Sequence, residues 1–162
     1  KRQELNLQKK ILGDKNINYY NFALGSEDKE LNLYITKRKD SSSLLKPIQT
    51  VNSKYLTKEI RKVSVKKLDK ILALRNIKRP SILKLDVQGF ELEVLKGSLE
   101  IFKMIDYIIT EVSFIEIYEK QVMENKLLDF ICSKKFKLEK KCNSSKIDKQ
   151  LFQEDVLFTR QN

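Results

Sequence analysis

Side-chain polarity alternates with period two over residues 81–86, S-I-L-K-L-D, then switches to helical spacing at Phe90, Val94, Leu95, Leu99 and Phe102. The pattern predicts a strand over 81–86, a tight turn through Gly89 and a helix over 90–102. Ile82, Lys84 and Asp86 share one face of that strand, and Leu83 and Leu85 the other. Two charged residues in an otherwise apolar strand mark a site, because an uncompensated buried charge is expensive. Glu91 and Glu93 fall in the first helical turn, where the helix dipole favours anions. A second apolar run, Y-I-I-T-E-V-S at 107–113, ends near Glu111 as the first ends on Asp86. If the helix joins these strands as parallel neighbours, both carboxylates reach the C-terminal edge of the sheet, where open α/β sheets bind ligands. Lys84 is then expected within salt-bridge reach of Asp86 or Glu111.

The same reading places the remaining elements. A helix is expected over 3–12, a strand over 17–24, a turn at 25–28 and a strand over 30–35, the two strands forming a hairpin. Residues 40–47 read as a loop, 60–65 as a short strand, 67–74 as a helix, and Arg79-Pro80 as a break. An amphipathic helix follows over 118–131, with Val122, Leu127, Leu128 and Ile131 apolar. Strands at 136–141 and 156–160 close the chain as an antiparallel pair. One domain accounts for 162 residues.

The block L-K-L-D-V-Q-G-F-E-L-E-V-L-K-G at 83–97, followed by I-I-T-E-V-S-F at 108–114, resembles the core signature of FkbM-type methyltransferases. N-F-A-L-G at 21–25, D-S-S-S-L at 40–44, V-S-V-K-K-L-D at 63–69 and D-V-L-F at 155–158 continue the resemblance in the family's order, so that residues 5–160 are covered. Gln88 stands where many members have Glu. The resemblance implies an α/β fold with a Rossmann-like class I methyltransferase sheet, mostly parallel with an antiparallel C-terminal strand. It implies S-adenosylmethionine as methyl donor and a small-molecule or sugar hydroxyl as acceptor. Ala23 and Leu24 match positions lining the adenine pocket, although an ordinary core role fits them equally. The family's glycine-rich cofactor loop and the acid that holds the ribose have no counterpart here. The expectation is therefore a truncated domain, lacking the first two strands, which alone neither binds the cofactor tightly nor methylates; the alternative is a non-catalytic remnant or binding module that keeps the sheet without the cofactor loop. The strands at 17–24 and 82–86 should then lie about 14 Å apart, three strand spacings, or re-pair at about 4.8 Å.

Composition narrows the chemistry. Without a single histidine there is no Ser-His-Asp or Cys-His relay, no histidine-ligated zinc and no imidazole base. A base must come from Asp, Glu, Lys or Tyr. Methyl transfer tolerates this, since a sulfonium donor is already activated and alignment with the acceptor oxygen supplies much of the catalysis. Cys132 and Cys142 have neither metal nor disulfide spacing and read as reduced bystanders. Residues 37–79 carry 14 Lys/Arg against 3 Asp/Glu, whereas 81–130 carry 5 against 10. The basic segment reads as a solvated lysine-rich surface. A nucleic-acid partner is the weaker reading, because no aromatic residues interleave with the cations. No apolar run approaches the roughly 20 residues that span a bilayer, and cytoplasm is the default location. Oligomeric state is left open.

Several roles compete for the site residues. Lys84 with Asp86 or Glu111 forms a structural ion pair, or Asp86 faces the cleft and orients or deprotonates an acceptor hydroxyl, or Asp86 and Glu111 hold a divalent cation through oxygen ligands. Glu111 is alternatively an acceptor for backbone N–H groups at a helix start. The candidate catalytic set is thus Asp86, Glu111 and Lys84. Gly89 is expected at positive φ, Gly97 at a close helix contact, and Ser41, Ser42 and Ser43 either in turn and capping roles or along the acceptor side.

Overall fold

The computed structural model describes residues 17–48, 53–147 and 150–161; the helix expected over 3–12 lies outside them. Strands β1 (Ala23–Leu24), β2 (Lys29–Thr36) and β3 (Thr57–Lys66) form one sheet in the order β1-β3-β2. Strands β4 (Ile82–Leu85), β5 (Tyr107–Ser113), β6 (Phe136–Ile147) and β7 (Gln150–Arg160) form a second, in the order β4-β5-β7-β6. Helix α1 (Leu68–Ile71) follows β3, α2 (Glu91–Lys96) joins β4 to β5, and α3 (Glu124–Cys132) precedes β6. The architecture is α/β. No helix among the described residues is long and apolar enough to cross a membrane.

The strand-turn-helix-strand unit forms as its periodicity predicts, with β4 and β5 parallel and adjacent. Its helix is shorter than expected. Gly97 ends α2, and Phe102 instead belongs to a 3-10 turn at Ile101–Met104. The C-terminal pair is antiparallel as predicted, although β6 and β7 run well beyond the expected ends.

Two expectations are corrected. The sheets are mixed rather than mostly parallel, because β5 pairs β7 and β7 pairs β6 antiparallel, while β3 pairs β1 parallel and β2 antiparallel. The strand expected over 17–24 is reduced to Ala23–Leu24. It makes no hairpin with β2, because β3 inserts between them, with Ala23 and Lys29 both registered on Val65. The turn at 25–28 carries the chain over the end of β3, fastened by Gly25 N–H to the Lys66 carbonyl at 3.0 Å and by Lys67 N–H to Asp28 Oδ1 at 3.0 Å. Of the two arrangements left open for the strands at 17–24 and 82–86, the re-paired one does not form, because β1 and β4 stand in different sheets.

One apolar core ties the elements together. Leu85, Val94, Leu95, Ile108, Val112, Ile131, Val156 and Phe158 form its centre, and Leu24 and Leu31 of the first sheet pack against it. Gly97 closes the junction, since a Cβ there would stand 1.9 Å from the Gly25 carbonyl oxygen. The face of β4 that bears Ile82 and Lys84 is open, and Ile82 is 63% exposed. Lys84 is therefore exposed and forms no salt bridge among the described residues, contrary to the expected pairing with Asp86 or Glu111. In solvent its charge needs no partner.

Candidate active site

The turn after β4 is the scaffold of the site. Gln88 and Gly89 take positive φ, 53° and 92°, a conformation that costs an ordinary residue about 1–2 kcal/mol and a glycine nearly nothing. Surrounding hydrogen bonds hold Gln88 there. Ser43 Oγ donates to the Gln88 carbonyl at 2.7 Å, and Glu91 Oε1 accepts from Gly89 N–H at 3.1 Å and from Val87 N–H at 3.4 Å. Glu91 is only 3% exposed, and burial raises its carboxyl above the ordinary carboxylate range despite these backbone donors. The role of binding N–H groups at the helix start thus falls to Glu91 rather than Glu111.

The turn leaves Asp86 exposed at the end of β4. Gln88 Nε2 donates to Asp86 Oδ1 at 2.8 Å, while Gln88 Oε1 faces Tyr118 Oη at 3.2 Å. Tyr118, fully buried and packed edge-on against Tyr55, shares its single hydroxyl proton between Gln88 Oε1 and the Ser41 carbonyl, the latter at 2.8 Å. Burial pushes its phenol well above the ordinary value. Gln88 is therefore clamped from both ends and turns its amide N–H towards Asp86. Tyr118 pairs with Pro47 in an isolated antiparallel bridge ahead of α3 and is not in the helix expected to begin there, which starts only at Glu124.

Glu111 comes from β5. Leu85 pairs with Thr110, so Asp86 and Glu111 are the next residues on neighbouring parallel strands. Glu111 is half-buried and accepts a hydrogen bond from Gln153 Nε2 of β7. Burial, with the charges of Glu91, Asp86 and Asp155, raises its carboxyl from 4.5 to about 7. Tyr55 beside it is pushed up to about 12, chiefly by burial.

These side chains line a polar cleft of about 490 Å³, with Asp86, Gln88, Glu111, Gln153, Tyr55 and Ser41 on its walls and Arg38, Asp40 and Lys146 among its charged lining. A second, mainly apolar cavity of about 350 Å³ is lined by Phe22, Ala23, Leu24, Val87, Phe90, Ser42, Ser43 and Asp86. Asp86 is common to both. The fold thus gathers Asp86 with Glu111 in one cavity and with Ala23 and Leu24 in the other, and the Ser41–43 segment serves turn bonding and cavity lining together. Lys84 lines neither. No group of three or more side chains suited to a metal ion exists among the described residues.

Gln88, Tyr118 and Gln153 have no site role in the sequence reading. Gln88 carried a local signal, standing between an acid at a strand end and a turn glycine. Tyr118 and Gln153 carried none, since their side chains hydrogen-bond to groups 30 or more residues away.

The chain matches no curated protein sequence and no solved structure. The family model of the methyltransferase FkbM domain matches residues 3–138, which span both cavities apart from the β6–β7 wall. The chain accordingly belongs to the FkbM methyltransferase domain family.

Proposed function

We propose that the complete protein carrying this chain transfers a methyl group from S-adenosylmethionine to a hydroxyl of a sugar or other small molecule, with the donor against the apolar cavity and the acceptor in the polar cleft. The observation that carries this reading is the position of Asp86, the one residue that lines both cavities. The apolar cavity suits the cofactor's purine, with Phe22, Ala23, Leu24, Val87 and Phe90 supplying flat and small apolar walls and Ser42 and Ser43 polar edges. S-adenosylmethionine, when bound, supplies an electrophilic methyl group on a sulfonium sulfur that leaves as a neutral thioether. The chain's own part is alignment and proton transfer. Gln88 holds Asp86 by Oδ1, and Oδ2 has no hydrogen bond among the described residues, leaving it for the acceptor hydroxyl. Asp86 orients that hydroxyl and takes the proton released as the oxygen becomes an ether. With no histidine in the chain, a carboxylate is the natural group for this step.

The test is methyl transfer from labelled S-adenosylmethionine to a panel of hydroxyl acceptors by the natural protein that carries this chain. Asp86→Asn should lower turnover by about 10²- to 10⁴-fold with an unchanged melting temperature. Full turnover in the variant, or transfer to nitrogen or carbon acceptors only, would overturn the reading.

A further inference from the structure

Asp86 and Glu111 present a matched pair of free acceptors to the polar cleft. They are adjacent positions on parallel neighbours, beyond the Leu85–Thr110 register pair, and such strands lie about 4.8 Å apart. Each carboxyl is tied on one oxygen by a glutamine amide, Asp86 Oδ1 by Gln88 and Glu111 Oε1 by Gln153. The other oxygen of each has no hydrogen bond among the described residues. The site is thus organised around two carboxyl oxygens pointing their bonding capacity at one cleft.

On the reading of this cleft as the acceptor site, we propose that the acceptor is a vicinal diol, as in a sugar ring, with Asp86 binding the hydroxyl that is methylated and Glu111 the hydroxyl on the adjacent carbon. Two hydroxyls on neighbouring carbons offer two donors side by side, as the two strand ends offer two acceptors. At the two strand ends themselves, apart from the Arg38 and Lys146 side chains that also line the cleft, the carboxyls favour a neutral ligand with many donors. Burial, with the added charges of Glu91 and Asp86, raises Glu111 to about 7, and an anion bound between Asp86 and Glu111 would meet the same carboxyls. Near neutrality Glu111 is present in both protonation states, so it accepts from the second hydroxyl or donates to it. Product release follows from the same geometry. Once methylated, the reacting oxygen has no hydrogen to give, and when Asp86 passes the proton it took to solvent, carboxylate and ether oxygen face each other with no hydrogen between them.

The experiment is ligand binding without cofactor, by saturation-transfer NMR and calorimetry, on the natural protein carrying this chain. The probes are methyl glycosides of common hexoses, each with its monodeoxy and mono-O-methyl analogues. For a glycoside that binds, removing either hydroxyl of one adjacent pair should weaken binding about tenfold, the loss expected for one well-made hydrogen bond. Glu111→Leu should erase the sensitivity to one hydroxyl of that pair and leave the other, while Glu111→Gln keeps both, with melting temperature as the folding control. Binding indifferent to the adjacent hydroxyl, or no glycoside binding, overturns the diol assignment. Equal methylation of mono-ols and diols overturns it while leaving hydroxyl methylation standing. Diol binding with no methyl transfer to any hydroxyl has the opposite meaning, sinking the proposed reaction and sparing the diol site.

Discussion

Replacing Glu111 by Gln should stabilise the protein at and above neutral pH and remove a pH dependence carried by the wild type. Burial, reinforced by Glu91, Asp86 and Asp155, raises the Glu111 carboxyl from 4.5 to about 7. Between those two values the native state holds more of this proton than the unfolded chain does. Stability from this group is therefore full below about pH 4.5 and is lost as pH rises through about 7. At about 1.36 kcal/mol per pH unit, the interval sets a ceiling of about 3 kcal/mol. The carboxyl is only half-buried and partly screened by solvent, so the expected effect is about 1–2 kcal/mol. Gln preserves the shape and the acceptor oxygen for Gln153 Nε2 while staying neutral at every pH. Denaturant unfolding of both proteins should find the variant more stable by about 1–2 kcal/mol at about pH 8, with the gap closing as pH falls towards about 4.5. Parallel stability curves across that range would refute the claim that Glu111 is held protonated by its surroundings.

Two further outcomes test the scaffold. Gly97→Ala places a Cβ 1.9 Å from the backbone oxygen of Gly25, a clash no side-chain rotation relieves, so thermal denaturation should show a loss of about 3 kcal/mol or more. A melting temperature near wild type would mean that α2 and the end of β1 are not in contact. Tyr118→Phe keeps the buried ring but removes the hydroxyl that reaches Ser41 and Gln88. It should cost about 1 kcal/mol and, in side-chain amide NMR, change the resonances of Gln88 while leaving Gln153 in place; an unperturbed Gln88 amide would show that Tyr118 does not orient it.

The sequence by itself determined the unit that carries the site. Alternation over 81–86, the glycine at 89, helical spacing from Phe90 and the apolar run at 107–113 are local patterns, and right-handed crossover leaves few ways to arrange them. The meeting of Asp86 and Glu111 at one sheet edge follows from that arrangement. Only the tertiary structure decided what each charge encounters. Lys84 reads as a buried cation needing a partner, yet the open face of β4 leaves it in solvent, and Glu91 reads as an acid favoured by the helix dipole, with nothing to show that it is buried beneath the turn. The insertion of β3 between β1 and β2 was hidden because a strand's period shows which side chains share a face, not which neighbour takes its hydrogen bonds. Gln88, Tyr118 and Gln153 were hidden for a related reason: their roles rest on single hydrogen bonds between residues distant in the chain, and such bonds impose no periodicity on the residues around them.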